Sequence, residues 1–176
     1  MDRTQRRSVE ELETFVPYLI HVAASGLSSG ASRVYRKLFG ITGAEWHMLL
    51  ILSTESNITA KRACQIIGLD RSLASRLVRS LGNRGLIRVS KHPDDNRQRA
   101  INLTDKGWRL HAKVDEVSKA RSRQLLAIFS EREYRQLVDL LQRLNAELPM
   151  VNANWLSAKN GKASKVEKPA ARIGNA

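Results

Sequence analysis

The sequence predicts a mainly α-helical chain with one small β-hairpin. Along most of the 176 residues, apolar side chains recur at the three- and four-residue spacing of amphipathic helices. Between residues 86 and 103 the period changes, and two short stretches alternate apolar and polar side chains around a polar segment. With 42% hydrophobic and 27% charged residues, the chain has a globular balance and enough length to bury a core.

The first helical region covers residues 8–39. Ser8 and Glu11 have the spacing of a capping box, and apolar residues follow at helical spacing. Pro17 lies inside this pattern, so it predicts either a kink or a new helix start. Gly40 follows the last apolar residues and ends the region.

Two shorter helices come next. Thr42 and Glu45 form a second capping box, which begins a helix rich in leucine. Thr59 is placed to cap a short helix over residues 60–67. Gly68 then ends this helix in the tight turn that two crossed helices require.

Asp70 is placed to cap a further helix, residues 71–84, which has two different faces. One face holds the apolar residues Ala74, Leu77, Val78 and Leu81, and the other holds Ser72, Arg76, Arg79 and Asn83. Such a helix can pack on a core and enter a DNA groove, where arginine reads guanine and neutralises phosphates. The alternative is an ordinary surface helix with solvated arginines.

The change of period predicts a β-hairpin. Its strands are residues 86–90 and 99–103, and the segment 91–98 between them is a polar, basic loop. Helix, glycine turn, helix and basic hairpin, in this order, are the layout of a winged helix-turn-helix domain. The hairpin therefore favours the DNA-reading interpretation of the helix before it.

Two helices complete the predicted structure. Thr104 caps a long helix over residues 105–129, and Ser130 with Glu133 begins the last one, which Pro149 is expected to end. The last helix carries a stripe of leucines with little reason to be exposed, so we expect it to form part of a homodimer interface. This stripe consists of Leu137, Leu140, Leu141, Leu144 and Leu148.

The chain carries a net charge of +13, and the excess is concentrated in its middle. Residues 57–109 hold 12 basic and 4 acidic groups, whereas residues 1–56 are neutral and residues 110–156 have a net charge of +1. A basic centre between neutral flanks is typical of a protein that binds a polyanion, here nucleic acid. A solvated charged face would spread the excess more evenly.

The predicted organisation has three parts. Residues 8–40 and 105–148 form a helical dimerisation region, and residues 41–104 form the winged DNA-binding domain. Residues 157–176 contain lysine, alanine, glycine and serine with little to bury, so we expect a disordered basic tail.

Other classes of protein find no support in the sequence. No apolar run approaches the roughly 18 residues of a membrane span, and the charged N-terminus does not resemble a signal peptide. A single cysteine, Cys64, excludes an internal disulfide and fits a cytoplasmic location. The four histidines have no metal-site spacing, and no catalytic constellation is visible, so we expect neither an enzyme nor a cofactor.

Seven segments together resemble the MarR (multiple antibiotic resistance regulator) family, over about residues 12–148. They are Glu45–Leu52, Asn57–Thr59, Gly68–Asp70, Ser75–Val78, Leu81–Ile87, Asp94–Arg97 and Leu103–Gly107. The resemblance implies a dimeric winged-helix transcription regulator, usually a repressor, that binds a pseudo-palindromic operator in double-stranded DNA. It also implies release from DNA by a small, often aromatic, ligand.

The resemblance assigns DNA contacts to the recognition helix and to the hairpin, or wing. In the recognition helix these are Arg71, Ser72, Leu73, Ser75, Arg76 and Arg79. Leu73 departs from the family's usual threonine and could reach only a thymine methyl group. In the wing, Arg97 is expected in the minor groove, with His92 and Arg99 as weaker contacts and Asp70 or Asp95 holding the arginine.

Three further residues carry open alternatives. Trp46 and His47 begin the helix next to the family's ligand pockets, although Trp46 also fits a place in the core. Cys64 fits simple packing better than oxidant sensing, because a reactive thiol needs exposure and a lowered pKa.

For the whole chain, the alternative to a sequence-specific regulator is a non-specific architectural DNA-binding protein. An incidentally basic small-molecule-binding or enzymatic domain is a third.

Overall fold

The computed structural model describes residues 8–159. In that range the chain is mainly helical with one antiparallel hairpin, as the sequence predicted. The elements are α1 (Val9–Glu13), α2 (Val16–Phe39), α3 (Gly43–Leu52), α4 (Ala60–Ile67), α5 (Arg71–Asn83), β1 (Ile87–Lys91), β2 (Arg99–Leu103), α6 (Asp105–Leu126) and α7 (Glu131–Lys159). No helix of these described residues is long and apolar enough to cross a membrane.

The capping signals set the helix starts. Ser8 with Glu11 and Thr42 with Glu45 both form complete capping boxes, at the starts of α1 and α3. Pro17 lies in the first turn of α2, where its missing N–H costs nothing, so it marks a new helix and not a kink. The helix then continues unbroken to Phe39.

The C-terminal helix is longer than the sequence predicted. The expectation that Pro149 ends it is wrong, because α7 continues to Lys159. A single proline can be accommodated inside a long helix, and no glycine or second proline follows before residue 160. Residues 157–159 of the expected disordered tail are therefore helical, and the rest of that tail lies outside the described residues.

The winged domain has the predicted order of elements. Gly68 adopts a left-handed conformation, with φ 73°, in the turn between α4 and α5. Strand β1 pairs with β2 in a register that places Ile87 opposite Leu103. An isolated bridge between Ile58 and Ile101 fixes the hairpin to the segment before α4.

One core holds these elements together. It combines α3, α5 and the hairpin with Tyr35 of α2 and Val114 of α6, so the helices outside the predicted winged domain also contribute to it. The fully buried large side chains are Ile41, Met48, Leu49, Leu81, Leu86, Ile101 and Val114. Gly107 permits the close approach of α6, since a Cβ there would lie 2.0 Å from the Leu86 carbonyl oxygen.

The chain divides into two compact units, the first ending at Ser122 and the second beginning at Arg123. Each unit exposes large apolar side chains. In the first unit many of these are on α2, including Val16, Tyr18, Leu19, Ile20, Val22 and Leu27. In the second they are on α7, including Leu140, Leu141, Leu144, Leu148, Val151 and Trp155.

Candidate nucleic-acid interface

Helix α5 is held at its start by a side-chain cap and along its length by an apolar face. Asp70 Oδ1 accepts a hydrogen bond from the backbone N–H of Leu73 at 2.9 Å. Ala74, Leu77 and Leu81 are buried in the core, so the predicted apolar stripe is confirmed. The opposite face of α5 is thereby left to solvent.

The solvent face of α5 is basic and hydroxyl-rich. Five of the six residues predicted in this helix are exposed: Arg71, Ser72, Ser75, Arg76 and Arg79. Within the described chain, none of these three guanidinium groups forms an ion pair or hydrogen bond. Leu73 differs from the others, because it is partly buried and packs against the core.

Asp70 serves α5 rather than the wing arginine. Its Oδ1 also accepts a hydrogen bond from the Ser72 hydroxyl at 2.6 Å, and this bond, then that from Leu73, lowers the pKa of the carboxyl group. The charge of Arg76 contributes to the same shift. No bond from Asp70 to Arg97 exists among the described residues, so only the cap is formed.

Asp95 shapes the wing turn. Its Oδ1 accepts from the backbone N–H of Arg97 at 3.0 Å, and its Oδ2 accepts from Gln98 Nε2 at 2.9 Å. The Gln98 bond, followed by the Arg97 bond, lowers the pKa of Asp95. Asp95 thus holds the backbone of Arg97, while the guanidinium of Arg97 is exposed and has no partner within residues 8–159.

The other predicted wing residues differ in exposure. His92 is half-buried, and its Nδ1 accepts a hydrogen bond from the backbone N–H of Asp94 at 3.2 Å, so it belongs to the turn. Arg99 is exposed and lies directly opposite Lys91 across the hairpin. Like charges paired across strands repel, and an anion between them would relieve the repulsion.

Lys91 is a further candidate contact that the sequence did not predict. Its position as the last residue of β1, opposite Arg99, depends on the register of the hairpin. The only sequence signal was its place at the start of the basic loop. Lys91, Arg97 and Arg99 are three exposed cations at the loop end of the wing, and Arg88 of β1 is a fourth exposed cation on the hairpin.

The two residues predicted to line a ligand pocket are not brought together. Trp46 is 3% exposed and belongs to the core, whereas His47 is exposed. The Trp46 ring stacks on His111 of α6 with 5.2 Å between centroids, and Tyr35 meets Trp46 edge-on at 6.0 Å. His111 was missed because its contact with Trp46 depends on how α6 packs against α3.

One ring nitrogen of His111 has no hydrogen-bond partner in the described chain. This atom, Nε2, is buried between Trp46 and Trp108. Burial lowers the pKa of His111, because it disfavours the charged imidazolium; Asp115 opposes this shift and Lys119 adds to it. Cys64 is partly buried against the core. No group of three potential metal ligands occurs within the described residues.

Known proteins share this arrangement of helices and hairpin. The sequence profile described as the MarR family matches residues 39–98. The crystal structure of a MarR/EmrR family transcriptional regulator from Acinetobacter sp. ADP1 is 32% identical, covers 79% of this chain and 98% of its own, and has a TM-score of 0.75. The chain belongs to the MarR family. The MarR proteins matched are transcriptional regulators and not enzymes, as the sequence predicted for this chain.

Two further MarR-like structures are similar to this chain. One is a complex of MepR from S. aureus with DNA, 22% identical, covering 77% of this chain and 98% of its own with a TM-score of 0.69. The other is PcaV from Streptomyces coelicolor in complex with its natural ligand, 25% identical, covering 80% and 98% of the two chains with a TM-score of 0.66. The predicted fold and family resemblance are therefore confirmed.

Proposed function

We propose that this MarR-family chain is a dimeric, sequence-specific DNA-binding transcription regulator that acts as a repressor. The observation that carries the proposal is the solvent face of α5, with its three unpaired arginines and two serines. A helix with this face enters the major groove, where arginine reads guanine and serine can hydrogen-bond to different bases. The DNA complex of MepR supports a duplex as the ligand.

The wing supplies a second contact. Arg97 is expected to enter the adjacent minor groove, where an arginine responds to groove width and negative potential. Lys91 and Arg99 flank it as phosphate contacts. The separation of a reading helix from a charged wing supports a specific interface rather than uniform coating of DNA.

Dimerisation is supported by the apolar side chains that each unit exposes on its own. Patches of this kind mark interaction sites in soluble proteins. We assign residues 8–40 and 105–148 to the dimer and residues 41–104 to DNA binding. A two-fold protein then reads two half-sites about one helical turn apart.

The most detailed part of the proposal is that a small ligand releases the protein from DNA. It is supported by the ligand complex of PcaV and by the buried Trp46–His111 stack, where the Nε2 of His111 has no hydrogen-bond partner among the described residues. A small aromatic acid fits this chemistry, because its carboxylate could accept a hydrogen bond from that nitrogen. A panel of aromatic carboxylates, scored by thermal shift and DNA release, tests this part.

The decisive experiment is selection of bound sequences from a pool of random duplexes. A regulator is expected to enrich a two-fold symmetric site and to prefer it by roughly a thousand-fold or more over random duplex. A non-specific architectural protein would enrich nothing and bind all sequences alike. Failure to bind any duplex at moderate salt would refute both readings.

A further inference from the structure

Glu45 is a buried carboxylate at the start of α3. It is 6% exposed and is the only charged residue among the buried residues of the described chain. Its Oε2 accepts hydrogen bonds from the backbone N–H of Thr42 at 2.8 Å and from the Thr42 hydroxyl at 3.2 Å. The bond from the Thr42 N–H, together with the one that the Glu45 N–H donates to Thr42 Oγ1 at 3.1 Å, forms the capping box that the sequence predicted.

The other carboxylate oxygen faces the recognition helix. Oε1 accepts a hydrogen bond from the Ser80 hydroxyl at 2.7 Å, and Arg84 Nη1 lies 3.5 Å from the same oxygen. A capping box uses only one carboxylate oxygen. The bond to Ser80 therefore has a separate effect, which is to tie α5 to the first turn of α3.

The carboxylate keeps its charge in this site. Burial raises the pKa of Glu45, but the hydrogen bonds from Thr42 and Ser80, together with the charge of Arg84, lower it by more. Glu45 is therefore negative at neutral pH. A charged acceptor makes the stronger kind of hydrogen bond, which suits a bond that must fix a direction.

The same turn of α3 is also attached to α2. The backbone N–H of Gly43 donates a hydrogen bond to Ser32 Oγ at 3.1 Å. A Cβ at position 43 would lie 2.7 Å from that oxygen, so glycine permits the close approach. A polar path thus leads from Ser32 on α2, through the start of α3, to Ser80 on α5.

Ser80 is close in α5 to Arg76 and Arg79, so a rotation of the helix about its axis at Ser80 also changes the directions of these two arginines. It follows Arg79 directly and comes one helical turn after Arg76. The apolar face of α5 holds the helix on the core, but the hydrophobic effect that drives this contact is non-directional. A hydrogen bond is directional and weakens steeply off its axis.

We propose that Glu45 is a positioning residue for DNA recognition. Its hydrogen bond to Ser80 sets the rotation of α5, and with it the directions in which Arg76 and Arg79 leave the helix. This inference rests on the proposed function of α5 as the helix that reads DNA.

The first test compares two hydroxyl deletions, each of which removes one donor to Glu45. Ser80→Ala removes the bond to α5. Thr42→Ala removes the two bonds of the Thr42 hydroxyl within the cap of α3, while the backbone N–H of residue 42 still donates to Glu45. Dissociation constants are measured for the duplex that the parent protein selects and for random duplex, at a temperature where circular dichroism shows each variant folded. Ser80→Ala is expected to raise the Kd of the selected duplex about tenfold and to leave the random-duplex Kd within about twofold. Thr42→Ala is expected to lower Tm and leave the ratio of the two constants unchanged.

The second test is a rescue. Ser80→Asp places a second carboxylate against Glu45, so the ratio of the two dissociation constants is expected to collapse. Adding Glu45→Gln supplies an amide that can donate to the new carboxylate, and the ratio is expected to recover. The random-duplex Kd reports the change of net charge, so the ratio isolates the positioning effect.

Three results would overturn the idea. The ratio could stay at the parent value in Ser80→Ala, it could fall equally in Thr42→Ala, or it could fail to recover in the double variant. Each would make Glu45 a structural cap alone while leaving the proposed function intact. If the parent protein itself prefers no duplex, the proposed function fails, and the positioning role fails with it.

Discussion

Arg76 and Arg97 differ in what holds them, and this difference predicts separate roles. Arg76 leaves the middle of α5 with its guanidinium free, and the neighbouring Asp70 is occupied with the helix cap. Arg97 leaves a loop whose backbone is pinned by Asp95. A side chain on a rigid helix can report base identity, whereas one on a wing tip reports groove shape and phosphate charge.

Replacing Arg76 with alanine is expected to cost about 1–3 kcal/mol on the selected duplex if it contacts a base pair bidentately. Specificity at one base position should relax, because the donor pair that reads guanine is gone. Competition binding against a set of single-base variants of the duplex measures this. Arg33→Ala, on α2, is the matched control, because it removes the same charge. If Arg76→Ala loses the same affinity for every sequence, Arg76 contacts phosphate and not a base.

Replacing Arg97 with alanine is expected to weaken binding to all duplexes and to make the salt dependence shallower by about one unit of slope per subunit. One phosphate-neutralising charge is lost, and fewer counterions are released on binding. Titrations at four or more salt concentrations give the slope. Binding as tight as that of the parent across the series would remove Arg97 from the interface.

At the scale of elements, local signals in the sequence are sufficient to predict most helix starts. Capping boxes at Ser8 and Thr42 are formed as predicted, because both partners lie within four residues of each other. Contacts between distant residues were not predictable in this way. The bond from Glu45 to Ser80 and the stack of Trp46 on His111 depend on how helices pack, which no local pattern encodes.

The packing of α6 on α3 predicts a pH dependence of stability. His111 has a lowered pKa in the folded chain, against 6.5 as its ordinary value, so the unfolded chain binds a proton that the folded chain does not. Stability contributed by the neutral imidazole is complete above pH 6.5 and is lost as pH falls below it. Asp115, which moderates the shift, and Lys119, which strengthens it, are the charged groups that act on this ring.

His111→Phe tests this dependence, because it keeps the ring stack and removes the titrating nitrogen. The variant is expected to lose less stability than the parent between about pH 7 and pH 5. Urea denaturation at several pH values gives the comparison. His47→Gln, at an exposed histidine, is the control and should follow the parent; a parallel pH profile for His111→Phe would show that this ring does not carry the effect.

In the molecule as a whole, the excess of basic residues and the exposed apolar stripe of α7 lie on different parts of the chain. The basic excess falls on residues 57–109, while the described exposed stripe on α7 runs from Leu140 to Trp155. The sequence predicted this stripe as far as Leu148 but stopped at Pro149, since a proline usually ends a helix. The extension adds Val151 and Trp155 to the face and lengthens the surface that a second copy could cover.

Replacing Leu141 and Leu144 together with glutamate is expected to convert the protein to monomers. Two charges in the middle of the α7 stripe would have to be buried unpaired in an interface, which is far more costly than leaving them in water. A monomer presents one recognition helix where the selected site offers two half-sites, so binding to that site should fall to the level of random duplex. Light scattering coupled to size-exclusion chromatography measures the mass, and DNA binding follows on the same samples. Gln136→Glu with Gln142→Glu is the matched control, because it adds the same two charges to the same helix at exposed polar positions. A parent protein that is already monomeric at micromolar concentration, or a double leucine variant that remains dimeric, would place the interface elsewhere or remove it.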